Sequence, residues 1–473
     1  MVLQSEPLRA ILWGYGMLGA TVEVSLNVYD VYKTVVRESI NGTGVWSVTF
    51  NLQMAGTRGT ISASHKYNGA VETYFISNII FGDVWICGGQ SNMEFPLGHI
   101  FNSSATLKNV SMYHDIRIFT ASQVTSPVPL YDMVDIAQAW AVPSAVNAQY
   151  FSAVCWLYAQ NIYNKIKKPL GLISSNWGGT PVEAWSSPQA LANCNLDKVN
   201  SYISMSPQSN SVLWNAMIHP LLNMTISGAI WYQGEQNAHY HRNTYNCSFP
   251  AMIKDWRKSW YKATKSQTKS QFPFGFVQLC TVAAPKETGR FPLIRWHQTS
   301  DYGYVPNKMM PNTFMAVTLD LPDPNSPYGS IHPRDKQDVG FRLATETLKY
   351  VYKVLVHDDG PFPVSATLKG SNILLQYKYP NLKVIGKTNF EICCSESRCD
   401  VSDLSPKGFA EWLPTVIIKY DEQFVTVQAN KCSHFVKKIR YLWSSTPCEF
   451  KKCPIYDSMD FPASPFVMNV DTH

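Results

Sequence analysis

The chain has 473 residues, 45% hydrophobic and 16% charged, the balance of a soluble globular protein with room for two or three domains. Its net charge of +6 is spread along the chain with no run of five or six like charges, so nothing marks a nucleic-acid patch. No stretch of about 18 apolar residues is present, which argues against a membrane-spanning helix. The 14 tryptophans and 25 tyrosines suit glycan-facing surfaces and large β-rich cores alike.

Residues 1–80 read as short strands. "AILWGYG", "ATVEVSLNVYD", "GVWSVTFNLQ" and "GTISASH" alternate apolar and polar and are broken by glycines, the pattern of a small β-sandwich. The start "MVLQSEPLRAILWGYG" has neither a basic nor an apolar leader region, and the expectation is a truncated N-terminus. From 81 to 355 the rhythm changes. Continuous apolar runs ("DVWICGG", "LGLISSNWGG", "GAIWYQGEQN", "TFMAVTLD") alternate with segments of helical period, among them "SAVCWLYAQNIYNKI" and "DKQDVGFRLATETLKYVY". That alternation predicts an α/β domain with a mostly parallel sheet. From 356 to 473, "SATLKGSNILLQYKY", "TVIIKYDEQFVTVQA" and "KKIRYLWSS" return to strand pattern, giving a β-rich, cysteine-rich region.

Six of the eleven cysteines lie between Cys393 and Cys453. Their density predicts local disulfides and an oxidising compartment, with at least one thiol left over. A zinc site is the weaker reading, because no C-x-x-C pair repeats and histidines at finger spacing are missing; no metal is expected. Sequons at Asn41, Asn102, Asn109, Asn223 and Asn246 point the same way.

Three apolar runs end in glycines followed by polar residues, and ligands bind at the carboxyl ends of strands in such sheets. "FGDVWICGGQSNMEFP" thus presents Ser91 on a tight turn, where a nucleophilic hydroxyl is exposed and its own N–H can donate to an oxyanion. The Gly178–Gly179 pair and Asn237 are candidates for the remaining donors. His332 in "SIHPRDKQ" follows a turn-rich loop, and imidazole is suited to shuttling a proton at neutral pH.

The chain order Ser, Gly, Asn, His, each after a strand, resembles the SGNH hydrolase superfamily. "GDVWICGGQSNMEFP", "GLISSNWGGTPVEAWSS", "SVLWNAMIHPL", "WYQGEQNAHY", "IRWHQT" and "GSIHPRDKQ" are similar to the sialate O-acetylesterase family over nearly the whole chain. The resemblance implies an SGNH-type central parallel sheet with helices on both faces, flanked by β-sandwich-like regions at both ends. It implies removal of O-acetyl groups from sialic acids without a cofactor. Ser91 would be the nucleophile and His332 the general base. Ser91, Gly179 (or Gly178) and Asn237 would form the oxyanion hole. The superfamily's acid, three residues before the histidine, is Gly329 here; either Asp323, the preferred replacement, or Asp320 or Asp335 orients the histidine, or His332 works in a dyad held by a backbone carbonyl. Gln90, Glu235 and Asp335 are expected to support the site, and Arg295 and Arg334 to bind the sialate carboxylate. A secreted or lysosomal enzyme acting on O-acetylated sialoglycans is expected. Rival readings are an esterase for other acetylated polysaccharides such as xylan, and a glycan-binding module without turnover.

Overall fold

The computed structural model describes residues 1–38, 42, 44–197, 206–280, 289–355, 360–394, 399, 401, 412–432 and 436–472. Its N-terminal strands are β1 (Val2–Gln4), β2 (Ile11–Tyr15), β3 (Thr21–Leu26), β4 (Asp30–Val35), β5 (Arg37–Glu38), β6 (Gly44–Thr49), β7 (Arg58–Tyr67) and β8 (Ala70–Gly89). Alternation along β3 and β6 turns Val22, Val24, Leu26, Trp46 and Val48 into one core between two layers. The expected boundary at residue 80 falls inside a strand. β8 runs through it as one strand of 20 residues, pairing with β7 in its first half and entering the central sheet in its second.

The central sheet adds β9 (Ile116–Ala121), β10 (Ile136–Ala141), β11 (Leu170–Asn176), β12 (Gly228–Tyr232), β13 (Phe274–Gln278) and β14 (Thr313–Val317). The order is β10-β9-β11-β8-β12-β13-β14, parallel throughout except for the β10 edge. Its helices are α1 (Ser91–Glu94), α2 (Ser103–Asn109), α3 (Ala145–Ala148), α4 (Ala153–Ile166), α5 (Pro188–Ala192), α6 (Tyr245–Ala263), α7 (Arg290–His297) and α8 (Lys336–Tyr350). The period of two along β8 shows that helices cover both faces. Trp85 meets Tyr158 of α4, and Cys87 is disulfide-bonded to Cys155 of α4. The next residue, Gly88, faces the other way, toward Trp256 of α6. Burial on both faces explains why β8 beyond Ile79, β11 and β12 are buried along their whole length and show no apolar–polar alternation.

Beyond residue 360, a five-stranded and a four-stranded sheet enclose a second core around Leu375, Ile392, Val425 and Tyr441. Three disulfides lie here, Cys393–Cys399, Cys394–Cys432 and Cys448–Cys453, and a fifth joins Cys194 to Cys247. Cys280 stands outside the five; its buried thiol donates to the Leu321 carbonyl at 3.1 Å. Among the described residues no helix is long and apolar enough to cross a membrane, and no cluster of side chains could hold a metal ion.

Candidate active site

β8 ends against β12 with no room for side chains. A Cβ on Gly89 would lie 2.2 Å from the Tyr232 carbonyl, and one on Gly88 would lie 3.0 Å from the Trp231 ring. Gly89 also has φ +142°, which side-chain-bearing residues rarely adopt. The Gln90 N–H then donates to the Tyr232 carbonyl at 3.0 Å, and the chain turns into α1 with Ser91 as its first residue. The Met93 and Glu94 N–H groups donate to the Gln90 carbonyl, while the first N–H groups of a helix have no acceptor within it, so the turn presents the Ser91 hydroxyl together with the Ser91 N–H.

His332 arrives from the other side. Its loop is built by its own hydrogen bonds: Ser326 N–H to Asp323 O, Gly329 N–H to Ser326 O, His332 N–H to Gly329 O, and Ser326 Oγ to His332 O at 2.7 Å. Gly329 makes the turn with φ +87°. The result sets His332 Nε2 2.9 Å from Ser91 Oγ. Nδ1 lies 2.7 Å from the carbonyl oxygen of Tyr328. A carbonyl only accepts, so Nδ1 carries the proton and Nε2 is left to accept from the serine. The Tyr328 ring stacks on His99 at 4.2 Å and meets the Phe95 ring edge-on at 5.2 Å, which holds that carbonyl in place.

The preferred acid is elsewhere engaged. Both Asp323 oxygens are taken by the Arg334 guanidinium, Oδ2 by Nε at 2.7 Å and Oδ1 by Nη2 at 3.0 Å, and the Arg334 N–H also donates to Oδ2. Burial alone would raise the Asp323 carboxyl, but these hydrogen bonds and the Arg334 charge outweigh it and hold the group below its ordinary range. Asp320 is locked to Arg342 by two bonds of 2.6 and 2.9 Å. Asp335 caps α8 by accepting the Asp338 N–H and faces Lys451 at 3.7 Å; burial raises its carboxyl. The histidine's partner in this structure is a backbone carbonyl, not a carboxylate.

Both arginines expected at the substrate have partners within the protein. Arg295 is wholly buried and donates to the carbonyls of Leu279, Cys280, Ser444 and Ser445, tying α7 to the C-terminal region. Arg334 pairs with Asp323 through Nε and Nη2 and lies 4.4 Å over the Phe101 ring. Asn237 is also committed. Its Oδ1 accepts from Val182 N and Gln233 Nε2, and its Nδ2 donates to Glu183 and to the Tyr240 carbonyl, so neither amide hydrogen points at Ser91. It braces the loop after β12 rather than offering a donor.

Of the glycine pair, Gly178 packs on Ser91: a Cβ there would lie 3.2 Å from Ser91 Cβ. Its N–H donates to Glu94 at 2.7 Å, while Gly179, in a left-handed conformation, follows with nothing within 4 Å of its Cβ position. Gln90 ties the turn to the loop after β12, its Oε1 accepting from the N–H groups of Gly234 and Gln236.

Glu235 lies in a buried chain that sequence reasoning only half saw. Its Oε1 accepts from Asn92 Nδ2 at 2.7 Å; the same amide donates to the Ile331 carbonyl, and Asn92 Oδ1 accepts from Lys336 Nζ at 2.6 Å. Asn92 thus joins the Ser91 turn to the residue before His332. The buried ammonium faces the rings of Phe95 and Tyr232. Burial pushes Lys336 down to about 8 and raises the Glu235 carboxyl. Asn92, Glu94 and Lys336 all sit inside "QSNME" and "HPRDKQ", so their place in those strings was the available signal; Tyr328 acts through its backbone and gave none.

Of the sequons, Asn102 and Asn109 are exposed and Asn223 is half-buried, whereas Asn41 lies outside the described residues. Asn246 is poorly placed for a glycan: it lies in α6 beside the Cys247 disulfide, and its amide donates to Asp301 at 2.6 Å.

Residues 81–325 match the family model described as carbohydrate esterase, sialic acid-specific acetylesterase, and residues 363–470 match the sialate O-acetylesterase C-terminal domain. The sialate O-acetylesterase of Homo sapiens is 42% identical over 486 residues, spanning 99% of this chain and 90% of that protein. That of Mus musculus is 39% identical over 516 residues, spanning 99% and 93%. A carbohydrate acetylesterase from Xanthomonas citri superposes with a TM-score of 0.79 at 25% identity, covering 99% of this chain and 96% of its own. With both family models matched and relatives this similar along nearly its full length, the chain belongs to the sialate O-acetylesterase family.

Proposed function

We propose that Ser91 and His332 carry out the deacetylation of O-acetylated sialic acids as a serine–histidine dyad oriented by the main chain. Ser91 Oγ attacks the acetyl carbonyl carbon while His332 Nε2 takes its proton. The N–H groups of Ser91 and Gly179 receive the developing oxyanion. Collapse breaks the bond to the sugar oxygen, which takes the proton from Nε2 and leaves as the alcohol. Water then attacks the acetyl-enzyme, losing its proton to His332, and acetate leaves as Ser91 is reprotonated. The Tyr328 carbonyl keeps Nδ1 protonated throughout. The observation that carries this reading is the 2.9 Å contact between Ser91 Oγ and His332 Nε2 with Nδ1 fixed at 2.7 Å. That contact also favours turnover over the reading as a glycan-binding module. The five disulfides and the exposed sequons Asn102 and Asn109 support passage through an oxidising secretory route, to a secreted or lysosomal destination.

The test is acetate release from O-acetylated sialosides beside acetylated xylan. Ser91→Ala and His332→Ala each lose several orders of magnitude in kcat, as paired nucleophile and base do, with intact folding by circular dichroism. Turnover by Ser91→Ala at the wild-type rate refutes the mechanism, and preference for xylan refutes the substrate.

A further inference from the structure

We infer that Glu94 is a positioning residue for the oxyanion hole. It clamps the glycine loop to the helix that carries the nucleophile, and this inference rests on the roles proposed for Ser91 and Gly179. Glu94 ends α1, three residues after Ser91, so the two side chains are fixed to one short, rigid turn. One carboxylate oxygen accepts the Gly178 N–H at 2.7 Å, and the other accepts from Gln123 Nε2 at 3.0 Å. Gln123 is tied in turn to the loop's own approach, donating to the Asn176 carbonyl at 3.2 Å. The Trp177 N–H is spent on the Gly89 carbonyl. The loop therefore has its first two N–H groups anchored to the nucleophile's turn and strand, and the third, on Gly179, is the one left to face a substrate. Gly178 contributes by lacking a Cβ, which would crowd both Glu94 Oε2 and Ser91 Cβ at 3.2 Å.

Electrostatics indicates why the role is one of position. A carboxylate close to an oxyanion repels it, so Glu94 has nothing to offer the transition state by direct contact. It acts by holding a neighbouring donor. With the Asn237 amide committed to Glu183 and Tyr240, the hole has one fewer donor than the family resemblance implies, and the placement of Gly179 bears more of the stabilisation.

The test uses the full chain with Glu94→Ala and Glu94→Gln, beside Ser91→Ala. Loss of one well-placed oxyanion donor costs about 10²–10³-fold in kcat, which sets the upper end for the alanine variant. We expect kcat to fall about 30- to 300-fold in Glu94→Ala while KM stays within about threefold, since ground-state binding is untouched. Glu94→Gln keeps an oxygen for Gly178 but turns an amide NH₂ toward that of Gln123, and falls between wild type and alanine. Inhibition by a boronic acid, whose tetrahedral adduct on Ser91 needs the same donors, weakens across the series in proportion to kcat/KM. A purely structural role would lower the melting temperature without moving that correlation. Should Glu94→Ala fold poorly, the glutamine variant and the boronate correlation decide. The inference is overturned if kcat stays within about threefold of wild type, if KM alone rises, or if boronate affinity is unchanged. Full activity of Ser91→Ala would overturn the underlying reading; an inactive Ser91→Ala beside a fully active Glu94→Ala overturns this inference only.

Discussion

Replacing Asp323 by asparagine separates a carbonyl-oriented histidine from a carboxylate-oriented one. Where a carboxylate orients a catalytic histidine, its conversion to the amide costs about 10⁴-fold in kcat. In this structure Asp323 contacts Arg334, two residues beyond His332, through three hydrogen bonds, and Tyr328 supplies the acceptor at Nδ1. The pair is partly exposed, with the arginine side chain at 26% and the aspartate at 9%. A charge-assisted pair in that setting contributes about 1–2 kcal/mol to the loop, less than a fully buried one because water screens the arginine. If all of that stabilisation were lost to misplacement of His332, the population in reach of Ser91 would fall about 5- to 30-fold at 1.4 kcal/mol per decade. The prediction is therefore a drop in kcat/KM of no more than about 30-fold in Asp323→Asn, measured as acetate release from an O-acetylated sialoside by folded, monodisperse enzyme. The variant's melting temperature gives the loop contribution independently. A loss above about 10³-fold with an unchanged melting temperature would show that the carboxylate reaches His332 in the reacting enzyme, and the carbonyl-oriented dyad would be wrong.

Two further predictions concern buried groups. Lys336 is held at about 8 in the fold, chiefly by burial and against the pull of nearby negative groups including Glu235, and returns to about 10.4 when unfolded. Between those values the unfolded chain binds more protons, so stability should rise with pH from about 8 to about 10, by on the order of 2–3 kcal/mol relative to Lys336→Met in urea titrations; a parallel pH dependence in the two proteins would refute a buried ammonium. Alkylation without reductant should label Cys280 alone after unfolding and nothing in the native protein, because the other ten cysteines are in disulfides; peptide mapping that finds label in the 393–453 region would contradict the pairing.

The elements that position the site were legible where burial is two-sided. β11 and β12 announce themselves as apolar runs closed by glycines, and Ser91 and His332 could be read from the turns that follow strands. The change of pattern near residue 80 reflects a change of burial along one strand. β8 does not end there; it passes from a layer with one solvated face into a sheet covered on both, so its composition changes while its backbone continues. Polar commitments were less accessible. Arg295, Arg334, Asp323 and Asn237 have the chemistry of site residues, and only their neighbours show that each is already satisfied. A string of letters gives a side chain's capacity for hydrogen bonding, not the partner that uses it.

The orientation of His332 shows why that limit falls on the acid in particular. A carboxylate does two things for a catalytic histidine: as a pure acceptor it fixes the tautomer, and as a charge it stabilises the imidazolium. Any backbone carbonyl can do the first, and no residue type is needed for it, so sequence cannot record it. The second is weaker from a dipole than from a full charge, and what remains available is precise placement. Here the Tyr328 carbonyl is set by the Gly329 turn, by the hydrogen bonds spanning Asp323 to His332, and by the stacking of the Tyr328 ring on His99. In the proposed mechanism, an acceptor held this firmly would not have to reorient when the imidazole gains its proton, and avoiding that reorganisation would itself contribute to the rate. Gly329, which stands where the SGNH resemblance would place an acid, is thus part of the proposed orienting device: its φ of +87° shapes the turn that brings the preceding carbonyl to Nδ1.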